Sequence, residues 1–388
     1  MSGSGPTIPD HRRSFVRVDL DAITRNVAVI RRHLPPGCAF GAVVKADGYG
    51  HGAASVARVA LAGGASWLLV ATVSEGITLR RAGFADVPIL VLGAIAAEEV
   101  MDLISADLIP TIDEGSPLDA VAAAAKTMGK APYPVHVKVD TGLNRFGVAE
   151  EHAIAFVRRV SADPRLRVDG LSTHFATADV IGDPFLSEQD RRFAAIVDAL
   201  AAHRLRPRVV HAANSGAALQ GIGCWDMVRV GIAIYGIPPA PGFPMPAGLS
   251  AALSVQSRVV RVIDLPVGAT VGYGRTYTAS RPCRAAVVPI GYADGLSRSL
   301  SNRGSLLIGG GRCPIVGNVS MDQCVAALPD GVDAAVDDPV IIVGMQGGTT
   351  QTITDLATDA GTIAYELAVR FGARMRREYH AACTFDGG

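Results

Sequence analysis

The 388-residue chain is predicted to be α/β, a (β/α)8 TIM barrel followed by a mainly β C-terminal domain. Three observations predict it. Short apolar runs alternate with amphipathic stretches about eight times over roughly 230 residues, the size and rhythm of a barrel. A proline-rich stretch, Pro238–Pro246, then breaks the rhythm. Beyond it, strand patterns and glycine turns dominate.

The strands are expected at Ala42–Val44, Trp67–Ala71, Ile89–Leu92, Ile109–Ile112, Val135–Val139, Gly170–Thr173, Val209–His211 and Met227–Ile232. Each is a short apolar run, as a strand buried on both faces requires. Helical spacing falls between them, over Leu20–Leu34, Ala53–Ala62, Ser74–Ala82, Ala97–Ser105, Pro117–Met128, Glu151–Val160 and Ser187–His203. An open doubly wound sheet is the competing arrangement, but no G-x-G-x-x-G follows the first strand. After the prolines, strands are expected at Leu253–Val262, Arg284–Pro289, Ser305–Ile308, Cys313–Val316, Gln323–Leu328 and Val340–Val343, with one helix near Ile353–Ala360. Gly309-Gly310-Gly311 and Gly347-Gly348 read as hairpin connections. The expected domains are 13–242 (barrel) and 243–388 (mainly β), with residues 1–12 a tail.

Composition narrows the function. Hydrophobic residues are 49% and charged ones 19%, which suits a globular chain with a sizeable core. Lys plus Arg and Asp plus Glu are each 36, so the formal charge is zero and neither nucleic acid nor a membrane surface is an expected partner. No run approaches the ~18 apolar residues of a spanning helix, and the first residues lack the pattern of a secretory signal. The six cysteines form no C-x-x-C pair and read as reduced thiols, so a cytoplasmic location is expected. The nine histidines show no ligand spacing, and no metal is expected.

Chemistry is sought at the carboxyl ends of barrel strands. The first strand runs into Lys45, then Ala46-Asp47-Gly48-Tyr49-Gly50-His51-Gly52. A lysine leaving an apolar strand is a candidate for a lowered pKa and Schiff-base chemistry. A surface lysine at a strand end fits the segment equally well. The fifth strand carries Lys138 and leads to Arg145, the sixth ends at His174, the seventh at Asn214-Ser215-Gly216 and the eighth holds Arg229, Gly231 and Ile232. Barrels often bind phosphate after strands seven and eight, where Ser215 offers a hydroxyl and Gly231 lets the backbone approach closely. Phosphate on one side and a Schiff-base lysine on the other would fit pyridoxal 5'-phosphate. Arg229 facing a pyridine nitrogen would keep it unprotonated; paired to Asp226 it would be structural. Arg145 suits a carboxylate. Lys138, taken alone, reads as solvated.

In this order, the segments V-V-K-A-D-G-Y-G-H-G, K-V-D-T-G-L-N-R-F-G, T-H-F-A-T-A-D, A-N-S-G, V-R-V-G-I-A-I-Y-G, V-G-Y-G-R-T-Y, I-G-Y-A-D-G, V-S-M-D-Q and T-I-A-Y-E-L resemble alanine racemases, fold type III pyridoxal phosphate enzymes. The resemblance runs from about Arg13 to Tyr379. It implies that Lys45 holds the cofactor and is one catalytic base, and that Tyr273, from the partner of a head-to-tail homodimer, is the other. It implies phosphate contacts from Tyr49, Ser215, Gly231, Ile232 and Tyr365, with Asn214 beside Ser215. Arg229 would face the pyridine nitrogen and His174 lie by the ring. Arg145 and Met321 would contact the amino-acid substrate's carboxylate, and Tyr292 with Tyr365 would narrow the approach to it. Lys138 matches a lysine often carbamylated in the family. The implied activity is interconversion of L- and D-alanine, supplying D-alanine for peptidoglycan. Broad-specificity or serine-preferring racemases and a non-catalytic pyridoxal phosphate carrier are the alternatives. Asn318 departs from the basic residue often found before V-S-M-D, and Leu143 from a more usual methionine.

Overall fold

The computed structural model describes residues 13–372 and 374–381. The expected tail, residues 1–12, lies outside them. Two compact units emerge, one of Leu20–Ala252 and one of the described residues up to Asp19 together with those from Leu253 onward. The division expected from sequence falls after Gly242.

The first unit is the barrel. Eight parallel strands, Ala39–Val43, Trp67–Val70, Ile89–Val91, Leu108–Ile112, Tyr133–Asp140, Leu166–Ser172, Val209–His211 and Met227–Val230, run in sequence, with the last pairing the first. Val228 lies opposite Phe40 in that pairing. The seam between the seventh and eighth strands is crossed by the N–H of Asp226 and of Arg229, which donate to Val210 and Ala213 oxygens at 2.9 Å. Buried aliphatic runs make these strands: every residue of Trp67–Val70, Ile89–Val91 and Met227–Val230 is buried. Helices cover the outside, as a parallel sheet requires.

Several helix starts are built by local sequence. Thr72 and Glu75 form a reciprocal capping box ahead of Val73–Arg81. Asp183 caps Pro184–Ala202, with proline at the first helical position. Arg80 braces the loops below, donating to the carbonyls of Phe84, Ala85, Val87, Ala106 and Asp107.

The second unit is mainly β. Phe15–Asp19 runs antiparallel to Leu253–Arg258 and parallel to Arg376–His380, which ties the start of the described chain to its end. Pro339–Gln346, Ser305–Ile308 and Gly311–Pro314 extend the same sheet, and a three-stranded sheet holds Arg261–Leu265, Cys283–Val288 and Cys324–Leu328. The two expected glycine hairpins are present. Gly309-Gly310 and Gly347-Gly348 each turn the chain in two residues with positive φ, the conformation glycine permits.

Three expectations change. Leu253–Val262 is two strands rather than one: Val259 bonds to Asp338 and Val260 to Val287, so the chain steps from one sheet to the other. Beside the expected helix Ile353–Ala360 lies a second, Ala364–Arg370, whose exposed Val369, with exposed Ile363 just before its start, blurs its amphipathic spacing. The first barrel strand ends at Val43, and Lys45 already belongs to the short helical turn Lys45–Tyr49.

Candidate active site

The carboxyl ends of the barrel strands bring together Lys45, Tyr49, Lys138, Arg145, His174, Asn214, Ser215, Arg229, Gly231 and Ile232. Lys45 enters a turn that ordinary backbone would avoid. Ala46, Asp47 and Tyr49 have φ of 51°, 52° and 53°, the left-handed region. Such strain persists only where surroundings enforce it. Here Glu75 accepts from Ala46 N and Ala71 N, both at 2.7 Å, and Asp47 accepts from Ala53 N at 2.9 Å. Glu75 was not singled out from sequence, although its capping box, Thr72-Val73-Ser74-Glu75, is the signal that could have found it.

Electrostatics shifts Lys45 toward its uncharged form. Burial is the main cause of its lowered pKa, Arg145 adds to it, and Glu75 opposes them. Lys138 is pushed down to about 8, again by burial first and then by Arg145 and Arg229. It is 8% exposed, which corrects the solvated reading. Its Nζ sits 4.8 Å from the centre of the Phe146 ring. Asp140 folds the loop carrying Arg145 by accepting from the N–H of Gly142, Asn144 and Arg145. Burial would raise its pKa, but those N–H groups bring the net shift down.

The far side of the mouth is a tight polar cradle. The Ser215 hydroxyl accepts from Gly231 N at 3.0 Å and Ala233 N at 3.4 Å. Asn214 caps Ser215–Gln220 through Ala217 N. A Cβ on Gly231 would stand 2.5 Å from the Tyr49 hydroxyl, and one on Gly216 only 2.2 Å from Ala178 O. Tyr49 is buried and packs on Tyr235, ring centres 5.1 Å apart. Burial, then Glu75, pushes its pKa up to about 12, so it stays a neutral donor.

Arg229 is 5% exposed. The alternative pairing to Asp226 is not made, since Asp226 takes Arg206 and the N–H of Val210. Arg229 Nη2 instead donates to Thr173 O and Ala212 O at 2.8 Å and lies 3.1 Å from His174 Nδ1, while Nη1 reaches His211 Nδ1 at 2.9 Å. Burial lowers its pKa to about 10, which leaves it a cation at neutral pH. Burial and then Arg229 hold both His174 and His211 neutral. His211 was not among the candidates, because a histidine closing an apolar strand gives no spacing signal.

The remaining candidates, Tyr273, Tyr292, Met321 and Tyr365, lie in the second unit. Tyr273 sits at the tip of a turn between Gly272 and Gly274, both at positive φ, and is 78% exposed. Asn318 donates to Tyr273 O at 2.7 Å and pins that turn. Met321 and Tyr292 are 52% and 44% exposed, and Tyr365 is half-buried.

A buried lysine and a tight polar cradle at one barrel mouth are features of a site that pyridoxal phosphate could occupy, and comparison with known proteins shows the family. Residues 18–239 match the alanine racemase N-terminal domain and residues 252–379 the alanine racemase C-terminal domain. Alanine racemases from Symbiobacterium thermophilum and Geobacillus kaustophilus are each 42% identical, over 95% of this chain and 97% and 94% of theirs. Among solved structures, the alanine racemase from E.faecalis has a TM-score of 0.87 at 38% identity, covering 96% of this chain and all of that one. The Bacillus anthracis alanine racemase with bound L-Ala-P has a TM-score of 0.87 at 34% identity, covering 97% of both chains. The Bartonella henselae alanine racemase with covalently bound pyridoxal phosphate has a TM-score of 0.85 at 26% identity, covering 95% of this chain and 99% of that one. The chain belongs to the alanine racemase family, the pyridoxal phosphate-dependent isomerases that act on alanine. Among the described residues, no helix is long and apolar enough to cross a membrane, and no cluster of His, Cys, Asp or Glu could hold a metal.

Proposed function

We propose that this protein interconverts L- and D-alanine with pyridoxal 5'-phosphate, using Lys45 and Tyr273 as its two bases, and supplies D-alanine for peptidoglycan. The observation that carries the reading is Lys45: a lysine whose charge is disfavoured by burial and by Arg145, in the same barrel mouth as the Ser215–Gly231–Tyr49 cradle.

The residues fit the cofactor. Ser215 and Tyr49 hydroxyls, with the backbone of Gly231 and Ile232 and with Tyr365, would hold its phosphate, and Asn214 would keep the Ser215 turn in place. Glycine at 231 lets the Tyr49 hydroxyl come close to the backbone, where a Cβ would stand 2.5 Å from it. Arg229 would face the ring nitrogen as a donor-only cation, with His174 beside the ring. When bound, the cofactor acidifies the α-hydrogen of the amino acid joined to it.

The protein's own part is to hold and move protons. A neutral Lys45 Nζ takes or returns the α-proton on one face. Inversion needs a second group on the other face, a role for the Tyr273 hydroxyl. Arg145 and the backbone N–H of Met321 hold the carboxylate, and Tyr292 with Tyr365 admits only a small side chain. Tyr273 is too exposed in one chain to act in a dry site, which favours a head-to-tail homodimer in which Tyr273 of the partner subunit completes each site. The free thiols and the reaction itself suit the cytoplasm.

The test is to incubate the protein with L-alanine in deuterated water and follow D-alanine and α-deuterium, with L-serine and L-lysine alongside. D-alanine carrying solvent deuterium, lost in Lys45→Ala and Tyr273→Phe, supports the reading. Cofactor binding without exchange would leave only a carrier, and faster turnover of serine would change the substrate.

A further inference from the structure

Arg229 heads a buried chain of imidazoles that leads away from the mouth. Its Nη1 lies 2.9 Å from His211 Nδ1, and His211 Nε2 lies 2.9 Å from His136 Nδ1. Both histidines are 0% exposed, and their ring centres are 5.0 Å apart.

Chemistry sets the proton on each ring. A guanidinium has donors only. His211 Nδ1 therefore accepts, and the proton of this neutral ring is on Nε2. That N–H donates to His136 Nδ1, so His136 carries its own proton on Nε2. One cation at the end of the chain thus selects a single tautomer in two rings. The proton of neutral His174 likewise sits on Nε2, since its Nδ1 faces the donor-only Arg229 Nη2.

The barrel is shaped around His136. A Cβ on Gly170 would stand 2.3 Å from His136 Nδ1, so glycine is required on the adjacent strand. The pairing of these two strands also shifts register between Val135 and His136. The ring gains little stability in return, because its buried Nε2 has no hydrogen-bond partner among the described residues. Trp67 packs on it at 5.6 Å, and Asp169, Arg208 and Arg229 supply the charges it feels.

We propose that His136 is a positioning residue for Arg229: by accepting from His211 Nε2 it fixes the tautomer and ring angle of His211, which holds the guanidinium on the cofactor's pyridine nitrogen. The last step rests on the cofactor reading above; the tautomer chain does not. With the acceptor gone, His211 is free to turn or to move its proton to Nδ1. It then meets Arg229 donor to donor, and the guanidinium leaves its place.

The test uses the pyridoxal phosphate-loaded protein with 15N-labelled histidine. Nuclear magnetic resonance at neutral pH is expected to show His136, His174 and His211 all neutral and protonated on Nε2. His136→Leu removes the acceptor, whereas His136→Gln offers an amide oxygen in its place. The Leu variant is expected to lose the single His211 tautomer, shift the cofactor absorbance and its pH profile, and lower kcat about tenfold with little change in KM, the low end of what outer-shell partners contribute elsewhere. The Gln variant is expected to regain most of each. A proton on His211 Nδ1 in the unmodified protein overturns the proposal, whether or not either variant folds. So does a Leu variant with unchanged His211 signals and cofactor spectrum, or equal losses in Leu and Gln, which would mark packing alone. An unmodified protein that shows the Nε2 tautomers but does not racemise alanine would overturn the function while leaving the tautomer chain intact.

Discussion

The Tyr49 hydroxyl occupies space that a side chain on Gly231 would need, 2.5 Å from the position of its Cβ. Tyr49 cannot swing aside easily, since it is buried between its own turn and Tyr235. Gly231→Ala is therefore expected to displace the hydroxyl from the cradle and weaken pyridoxal phosphate binding at least tenfold, about 1.4 kcal/mol. Titrating the cofactor by absorbance into the stripped protein checks this. Unchanged affinity would show that the cradle does not hold the phosphate.

Lys138 should leave a mark on stability against pH. Its folded pKa, about 8, lies below the ordinary 10.5. Between those values the unfolded chain binds more protons than the folded one, so stability rises with pH across that window. Below about pH 8 both forms are protonated and the burial penalty is fully present. Urea midpoints from pH 7 to 10 are expected to rise more in the unmodified protein than in Lys138→Met. Parallel curves would remove Lys138 as the cause.

The same lowered pKa leaves a fraction of Lys138 as free amine near neutral pH, able to add carbon dioxide and release a proton. The resulting carbamate would place a negative charge beside Arg145. Labelled bicarbonate is expected to give a carbamate carbon signal that Lys138→Met lacks. A signal that persists in the variant would come from another amine.

Complementation tests the proposal that two subunits share each site. Mixing Lys45→Ala with Tyr273→Phe chains, unfolding and refolding them together, is expected to restore about a quarter of wild-type activity. Half of the dimers are then mixed, and each has one intact site. No restored activity would mean that each chain uses its own tyrosine.

Asn318 ties down the Tyr273 turn through its 2.7 Å bond to the carbonyl. Asn318→Ala is expected to lower kcat about tenfold, within the range for a misplaced acid–base group, while leaving cofactor affinity unchanged. Equal loss of both would point to a disrupted unit.

Much of the barrel was legible because parallel strands buried on both faces write themselves as short runs of Val, Ile and Leu. Val209–His211 and Ala53–Ala62 have the expected bounds. Lys45 and Ser215 were legible as polar residues following such runs, and Arg229 as a charge inside the last of them. The strand Phe15–Asp19 was not, because its partners, Leu253–Arg258 and Arg376–His380, lie hundreds of residues away.

Local periodicity and ordered motifs survive in one dimension, so most barrel elements, the family and the residue types available for chemistry could be read from the chain. Tertiary structure alone decided the rest. It removed Lys138 from solvent, gave Arg229 to His211 and His174 instead of Asp226, and set Glu75 under the Lys45 turn. Burial and hydrogen-bond partnership come from side chains far apart in sequence, and only folding sets how close they lie and how much water remains between them.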